Sequence, residues 1–201
     1  RRVTANPLML SMVASIAELR TGIDMPTQTA ELYSVAADTM LSRGGALSGS
    51  AMALLQATFF EAHAAQQRII TAEHLEAAAR RVGGAVGELR ERILQDRLPL
   101  LRLLKAEPLQ MQAFHLSFQE YYAMRAVGAG GVRLRGFGWS PWWTNAVLMG
   151  VQRGDAFGDA FVRAVALPPG DGWRARVLAA LVQRGLPADW LPTAVEAARG
   201  V

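Results

Sequence analysis

The sequence predicts a mainly α fold: a helical domain, a winged helix with a short β-hairpin, and then α-helical hairpins in a solenoid-like run. Three observations carry this. Apolar residues recur three and four apart along most of the 201 residues, as one face of a helix requires. Leu109, Met111 and Ala113 instead alternate with Gln110, Gln112 and Phe114, the period of a strand. Proline and glycine breakers then cut the last third into short pieces of helical length.

Leu8, Met12, Ser15, Ile16 and Leu19 form the first helical face, with Pro7 suited to its first turn and Gly22 ending it. Pro26-Thr27 starts a second helix, in which Leu32, Val35, Ala36, Thr39 and Met40 repeat the spacing up to Gly44-Gly45. Ser48-Gly49-Ser50 reads as a loop or helix start. A third helix over about 51–67 turns Leu54, Leu55, Thr58, Phe59 and Ala62 inward. Ile69-Ile70 reads as a short extended link, and Thr71 as the N-cap of a helix bearing Leu75, Ala78, Ala79 and Val82. After Gly83-Gly84, another helix over about 86–97 places Val86, Leu89, Ile93 and Leu94 on one side.

The leucine-rich run from Leu98 to Leu104 is broken by Pro99, and Lys105-Ala106-Glu107-Pro108 reads as a turn into the alternating strand. Helices followed by a hairpin is the order of a winged helix. Ser117 and Glu120 have capping-box spacing, which predicts a helix over about 118–127 with Ser117 as its cap. Glycines at 128, 130, 131, 136 and 138 mark a connector, and helices follow over about 142–153, 155–166, 173–184 and 190–199. The domains expected are 1–45, the end of a first helical domain; 46–127, the winged helix; and 128–201, a second helical domain or the start of helical repeats.

Composition excludes several functions. A hydrophobic fraction of 51% with 19% charged residues rules out bulk disorder. The net charge is +4, and Lys105 is the single lysine. A phosphate-binding P-loop needs a lysine after a glycine-rich loop, which Lys105 lacks. No cysteine is present, so disulfides, thiolate zinc sites and cysteine nucleophiles are excluded. The longest uncharged stretches, 44–60 and 136–152, fall short of a membrane span. No His-Glu-x-x-His or Gly-x-Ser-x-Gly motif occurs, and Gly83-Gly84-Ala85-Val86-Gly87 follows a helix rather than the strand a dinucleotide loop needs. His63 and His74 read as packing or surface residues. His115 falls at a strand-to-helix junction, where a histidine either bonds the backbone or donates to an anion.

The segment Phe114-His115-Leu116-Ser117-Phe118-Gln119-Glu120-Tyr121-Tyr122-Ala123 resembles the signature closing the winged-helix domain of NACHT-type STAND NTPases, of the NOD-like receptor kind. Asn6-Pro7-Leu8-Met9-Leu10, followed by Ala30-Glu31-Leu32-Tyr33, resembles the first helical domain of that family, so the resemblance spans about residues 4–127. It implies that Pro7 packs against the adenine of bound ADP. It implies that His115 contacts the β-phosphate and holds a closed, inactive state. Exchange for ATP would then release the winged helix and permit homo-oligomerisation in cytoplasmic signal transduction. ADP or ATP with Mg²⁺ would be bound mainly by residues upstream of this chain. The partners implied are the nucleotide-binding domain of the same parent chain and other proteins, with no membrane. The P-loop and the acidic Mg²⁺ motif of the family are missing from this sequence and are expected upstream of Arg1. The chain by itself is therefore expected to be catalytically silent.

Two other readings remain. In a DNA-binding winged helix, the helix over 86–97 would enter the major groove, but Arg90, Arg92 and Arg97 are balanced by Glu88, Glu91 and Asp96. That near-neutral face weighs against nucleic acid. A helical-repeat protein-binding scaffold would use Trp139, Trp142 and Trp143 as a contact patch or, alternatively, pack them between helices.

Overall fold

A computed structural model describes residues 28–130, 132, 141–153, 157, 160 and 161. Pro7 and the helix over 8–19, the helices over 173–184 and 190–199, and Trp139 lie outside the described residues. Helix α1 spans Thr29–Arg43 and α2 Gly49–Ala64; strand β1 is Ile69–Thr71, followed by α3, Ala72–Val82, and α4, Gly87–Leu94. Strands β2, Leu101–Lys105, and β3, Gln110–Ala113, form the hairpin. Helix α5, Leu116–Gly128, follows, then a 3-10 turn, Pro141–Trp143, and α6, Thr144–Val151.

The fold is mainly α with one small sheet. The sheet is antiparallel in the order β1-β3-β2, so the later strand of the hairpin is central. Its register pairs Ile70 and Leu103 with Met111, and Ile69 and Arg102 with Gln112. Alternation then decides the two faces: Leu109, Met111 and Ala113 are buried, whereas Phe114 is 56% exposed. The sequence α2-β1-α3-α4-β2-β3 with this strand order is the arrangement of a winged helix. The expected link at Ile69-Ile70 is thus a paired strand, because β3 supplies the hydrogen-bonding edge it needs.

The core forms around α2 and α5. Buried residues of α2 include Leu54, Leu55, Ala57, Phe59, Phe60 and Ala62, which point in nearly every direction around the helix. In α5 every residue from Phe118 to Met124 is buried. A helix apolar all round belongs in an interior. The Phe59 and Tyr122 rings stack with centroids 5.2 Å apart. Tyr33 brings α1 onto this pair, edge-on to Phe118 at 5.3 Å. On the other side Trp143 reaches Phe60, and buried Phe157 and Phe161 lie in helical geometry within the expected 155–166 helix. A Cβ at Gly150 would overlap the Phe157 ring, so glycine is required for that approach.

Caps and polar ties set the helix ends. Ser48 caps α2: its Oγ accepts from the Ala51 N–H at 3.2 Å and its hydroxyl donates to Glu88 of α4 at 2.6 Å. Arg92 of α4 donates to the carbonyls of Gly44, Gly45 and Ala46, tying the α1–α2 loop to α4. Helix α2 ends at Ala64 rather than near 67, since Gln66 takes φ 55° and Gln67 N–H turns back to Ala62 O. Thr71 is the N-cap of α3 as expected, and Gly83, at φ 68°, ends that helix in the left-handed conformation glycine favours. Helix α4 stops at Leu94, whose side chain is exposed rather than inward.

Phe59→Ala is expected to lower stability by about 3–5 kcal/mol, through lost burial and the cavity left beside Tyr122. Phe114→Ala, at an exposed position, should stay within about 0.5 kcal/mol of the parent. Urea denaturation midpoints of the two variants check both.

Candidate functional site at the start of helix α5

The β3–α5 junction is fixed from both sides. Phe114 N–H donates to Leu100 O at 2.9 Å, which holds the exit of β3 against β2. His115 then takes an extended conformation, φ −147° and ψ 146°, and is the N-cap of α5. Its Nδ1 accepts from the Ser117 N–H at 3.2 Å, and its carbonyl accepts from the Phe118 N–H at 3.0 Å. The predicted cap was Ser117, with Glu120 returning to the Ser117 N–H. The histidine ring occupies that N–H instead, so the helix starts at Leu116. The Ser117 side chain meets Tyr33 and Glu120.

This cap determines the chemistry of His115. An accepting Nδ1 carries no proton, so the neutral ring holds its proton on Nε2. Burial, and secondly the positive charge of Arg68, push the imidazole pKa below its ordinary value. At neutral pH the residue is therefore a neutral donor through Nε2–H. Two of the first N–H groups of α5 are satisfied within the chain, which reduces the helix end as an anion cradle. The donor facing outward is the imidazole.

His115 lines a cleft of about 430 Å³ together with Arg68, Ser117, Gln119, Glu120 and Asn145. Glu120 is 4% exposed and accepts from Asn145 Nδ2 at 3.3 Å. Burial raises its carboxyl pKa, opposed by hydrogen bonds from Asn145 and Ser117 and by the Arg68 charge. Gln119 donates through Nε2 to Gln67 O at 2.8 Å, which leaves its buried Oε1 without a partner. Arg68 reaches the cleft through sheet register: Ile69 pairs with Gln112, so the preceding residue lies beside the end of β3.

His63 and His74 are packing and capping residues. His63 is fully buried, stacked on Trp142 at 5.1 Å and edge-on to Trp143 at 4.5 Å. Trp142 Nε1–H donates to the His63 carbonyl at 2.9 Å. Neither ring nitrogen of His63 has a hydrogen-bond partner, and burial lowers its pKa to about 3. His74 Nδ1 accepts from the Thr71 N–H at 3.0 Å, at the start of α3. Trp142 and Trp143 thus pack between helices rather than forming an exposed patch. Among the described residues no group of three or more His, Asp or Glu side chains is placed to hold a metal ion, and no helix is long and apolar enough to cross a membrane.

Of the two residues the sequence singled out, His115 stands in the cleft and Pro7 lies outside the described residues. Arg68, Gln119, Glu120 and Asn145 were not singled out as a group. Glu120 and Gln119 carried a signal in being polar within an apolar helix; Arg68 and Asn145 carried none. Against known proteins, the chain matches no family model, no curated protein and no solved structure.

His115→Ala is expected to lower stability by about 1 kcal/mol, whereas His115→Asp, which keeps an N-cap acceptor, should stay close to the parent at pH 8. Because the folded-state pKa of His115 is depressed, its stabilising contribution is full above the ordinary imidazole range and declines as pH falls below it. The cap itself is lost as pH falls through the lower folded-state value. His63 has the same sign and a larger effect. Its contribution is present above pH 6.5 and declines toward about pH 3, amounting to about 2 kcal/mol lost between pH 7 and pH 5. His63→Phe should flatten that part of the acid-stability curve, measured by urea unfolding at the two pH values.

Proposed function

We propose that this chain is the regulatory portion of a NACHT-type signal-transduction ATPase, closing over ADP to hold an inactive state and opening on exchange for ATP to allow oligomerisation. The observation that supports this best is His115 itself. Its Nδ1 is tied to the Ser117 N–H, so the ring is oriented and its Nε2–H remains as a donor beside the cleft. A neutral imidazole donor suits an anionic phosphate oxygen, which is what ADP would supply there.

The rest of the nucleotide and Mg²⁺ would be held by a nucleotide-binding domain of the same parent chain, in a cytoplasmic setting. The physical logic is differential affinity. A nucleotide that touches both domains in the closed state alone shifts the equilibrium toward closure by the strength of that added contact. The firm packing of α5 against α2 suits such a role, since a contact at His115 is transmitted to the whole winged helix.

The DNA-binding reading is weakened by Arg92, whose guanidinium is engaged with three backbone carbonyls and Glu88. That leaves the α4 face with fewer cations for phosphates than the sequence suggests.

In the parent protein, containing this chain and the residues before it, ADP is expected to remain bound through purification. His115→Asp preserves the helix cap and puts a negative charge at the phosphate, so bound ADP should fall at least tenfold. Nucleotide content measured after purification checks this, and unchanged retention in a folded His115→Asp protein would sink the proposed lock.

A further inference from the structure

The geometry points to Arg68 as the cationic partner of His115 in a single oxyanion site, one that takes the phosphoanhydride end of a ligand between the start of β1 and the N-cap of α5. This rests on the reading that the cleft meets a phosphate, and it adds the group that supplies the charge.

Three observations carry it. First, a neutral His115 offers one hydrogen bond and no charge, while the Glu120 carboxyl stands in the same cleft. Without a cation, the electrostatic balance there disfavours an anion. Second, Arg68 lines the cleft and makes no hydrogen bond or ion pair among the described residues. Arg81 and Arg92, by contrast, are engaged with Glu61 and with the α1–α2 loop. A guanidinium presents its donors as a planar fork that matches two phosphate oxygens. Third, Gln119 is one of the cleft-lining residues, and its Oε1 is buried and unpaired. Its orientation is fixed by the bond from Nε2 to Gln67 O. A buried acceptor left in this state calls for a donor, which a protonated phosphate oxygen or a water of its hydration supplies.

The β1–β3 pairing makes the site a property of the folded sheet. Arg68 belongs to the entry of β1 and His115 to the exit of β3, and the Ile69–Gln112 register holds the two together. Ligand binding there bridges the edge of the sheet and the first turn of α5.

The test is a titration of pyrophosphate into the 201-residue chain at constant ionic strength, followed by the His115 ring and Ser117 amide resonances. The parent should give saturable shifts at both. Arg68→Gln should weaken the apparent affinity about tenfold or more, and Arg68→Lys should restore part of it as a point charge. The urea midpoint of Arg68→Gln should stay close to the parent, because among the described residues no hydrogen bond or ion pair is lost and only the longer-range attraction to the Glu120 carboxyl is removed. Absence of saturable shifts in the parent overturns the site. Shifts of equal affinity in Arg68→Gln overturn the role of Arg68 while leaving His115 as a donor. If pyrophosphate binding depends on Arg68 but ADP retention is indifferent to His115→Asp, the oxyanion site stands and the nucleotide lock falls.

Discussion

The packing of α5 against α2 is the constraint from which the rest of the described structure follows. Both helices are buried around most of their circumference, so neither can lie at the surface without exposing large aromatic area. The Phe59–Tyr122 stack sets their contact. Once α5 is fixed, its N-terminus must fall where β3 ends. Helix α1 reaches this core through Tyr33, and α6 follows with the Trp142 and Trp143 pair over His63. The three-residue strand β1 is too short to organise anything alone. It is held by pairing with β3 and by the packing of α2 and α3, on either side of it, against one another.

Against that apolar background the first turns of α5 are unusual. Ser117, Gln119 and Glu120 introduce polar atoms into a helix that is otherwise core. Burying such groups is unfavourable unless each finds a partner. Asn145 and Ser117 partner Glu120, and Gln67 partners the Gln119 amide nitrogen, yet Gln119 Oε1 remains unpaired. A packed core gains nothing from this arrangement. Departures from local consistency of this kind tend to gather where a protein does its work. His63 is a different case: its nitrogens are also unpaired, but it is fully buried and enclosed by two indoles, which fits a packing role.

The arginines show why composition alone says little about partners. Arg92 closes a loop, and Arg81 pairs with Glu61 while lying over the Phe60 ring at 4.9 Å. These are structural uses, for which a guanidinium suits better than an ammonium because it bonds several oxygens at once and stacks on aromatic faces. Arg68 carries the same charge in the sequence and has a different fate, set by where it lies in the sheet.

Much of the architecture was legible in the residues: the period-two alternation of Leu109, Met111 and Ala113, the Thr71 cap, the Gly83 stop and the helical faces in between. These signals are local, since burial patterns within one turn or one strand repeat at the period of that element. The start of α5 was misread for a related reason. Ser117 and Glu120 have the right spacing for a capping box, but a ring at 115 can reach the same N–H, and spacing does not decide which acceptor wins. The cleft itself was not legible. Arg68, His115 and Asn145 are far apart in the chain, and Arg68 and Asn145 look ordinary among their neighbours. The sequence by itself determined the helices, the hairpin and the histidine at their junction. Tertiary structure alone decided which groups surround that histidine, because β1–β3 register and α5–α6 packing are long-range contacts that no local period encodes.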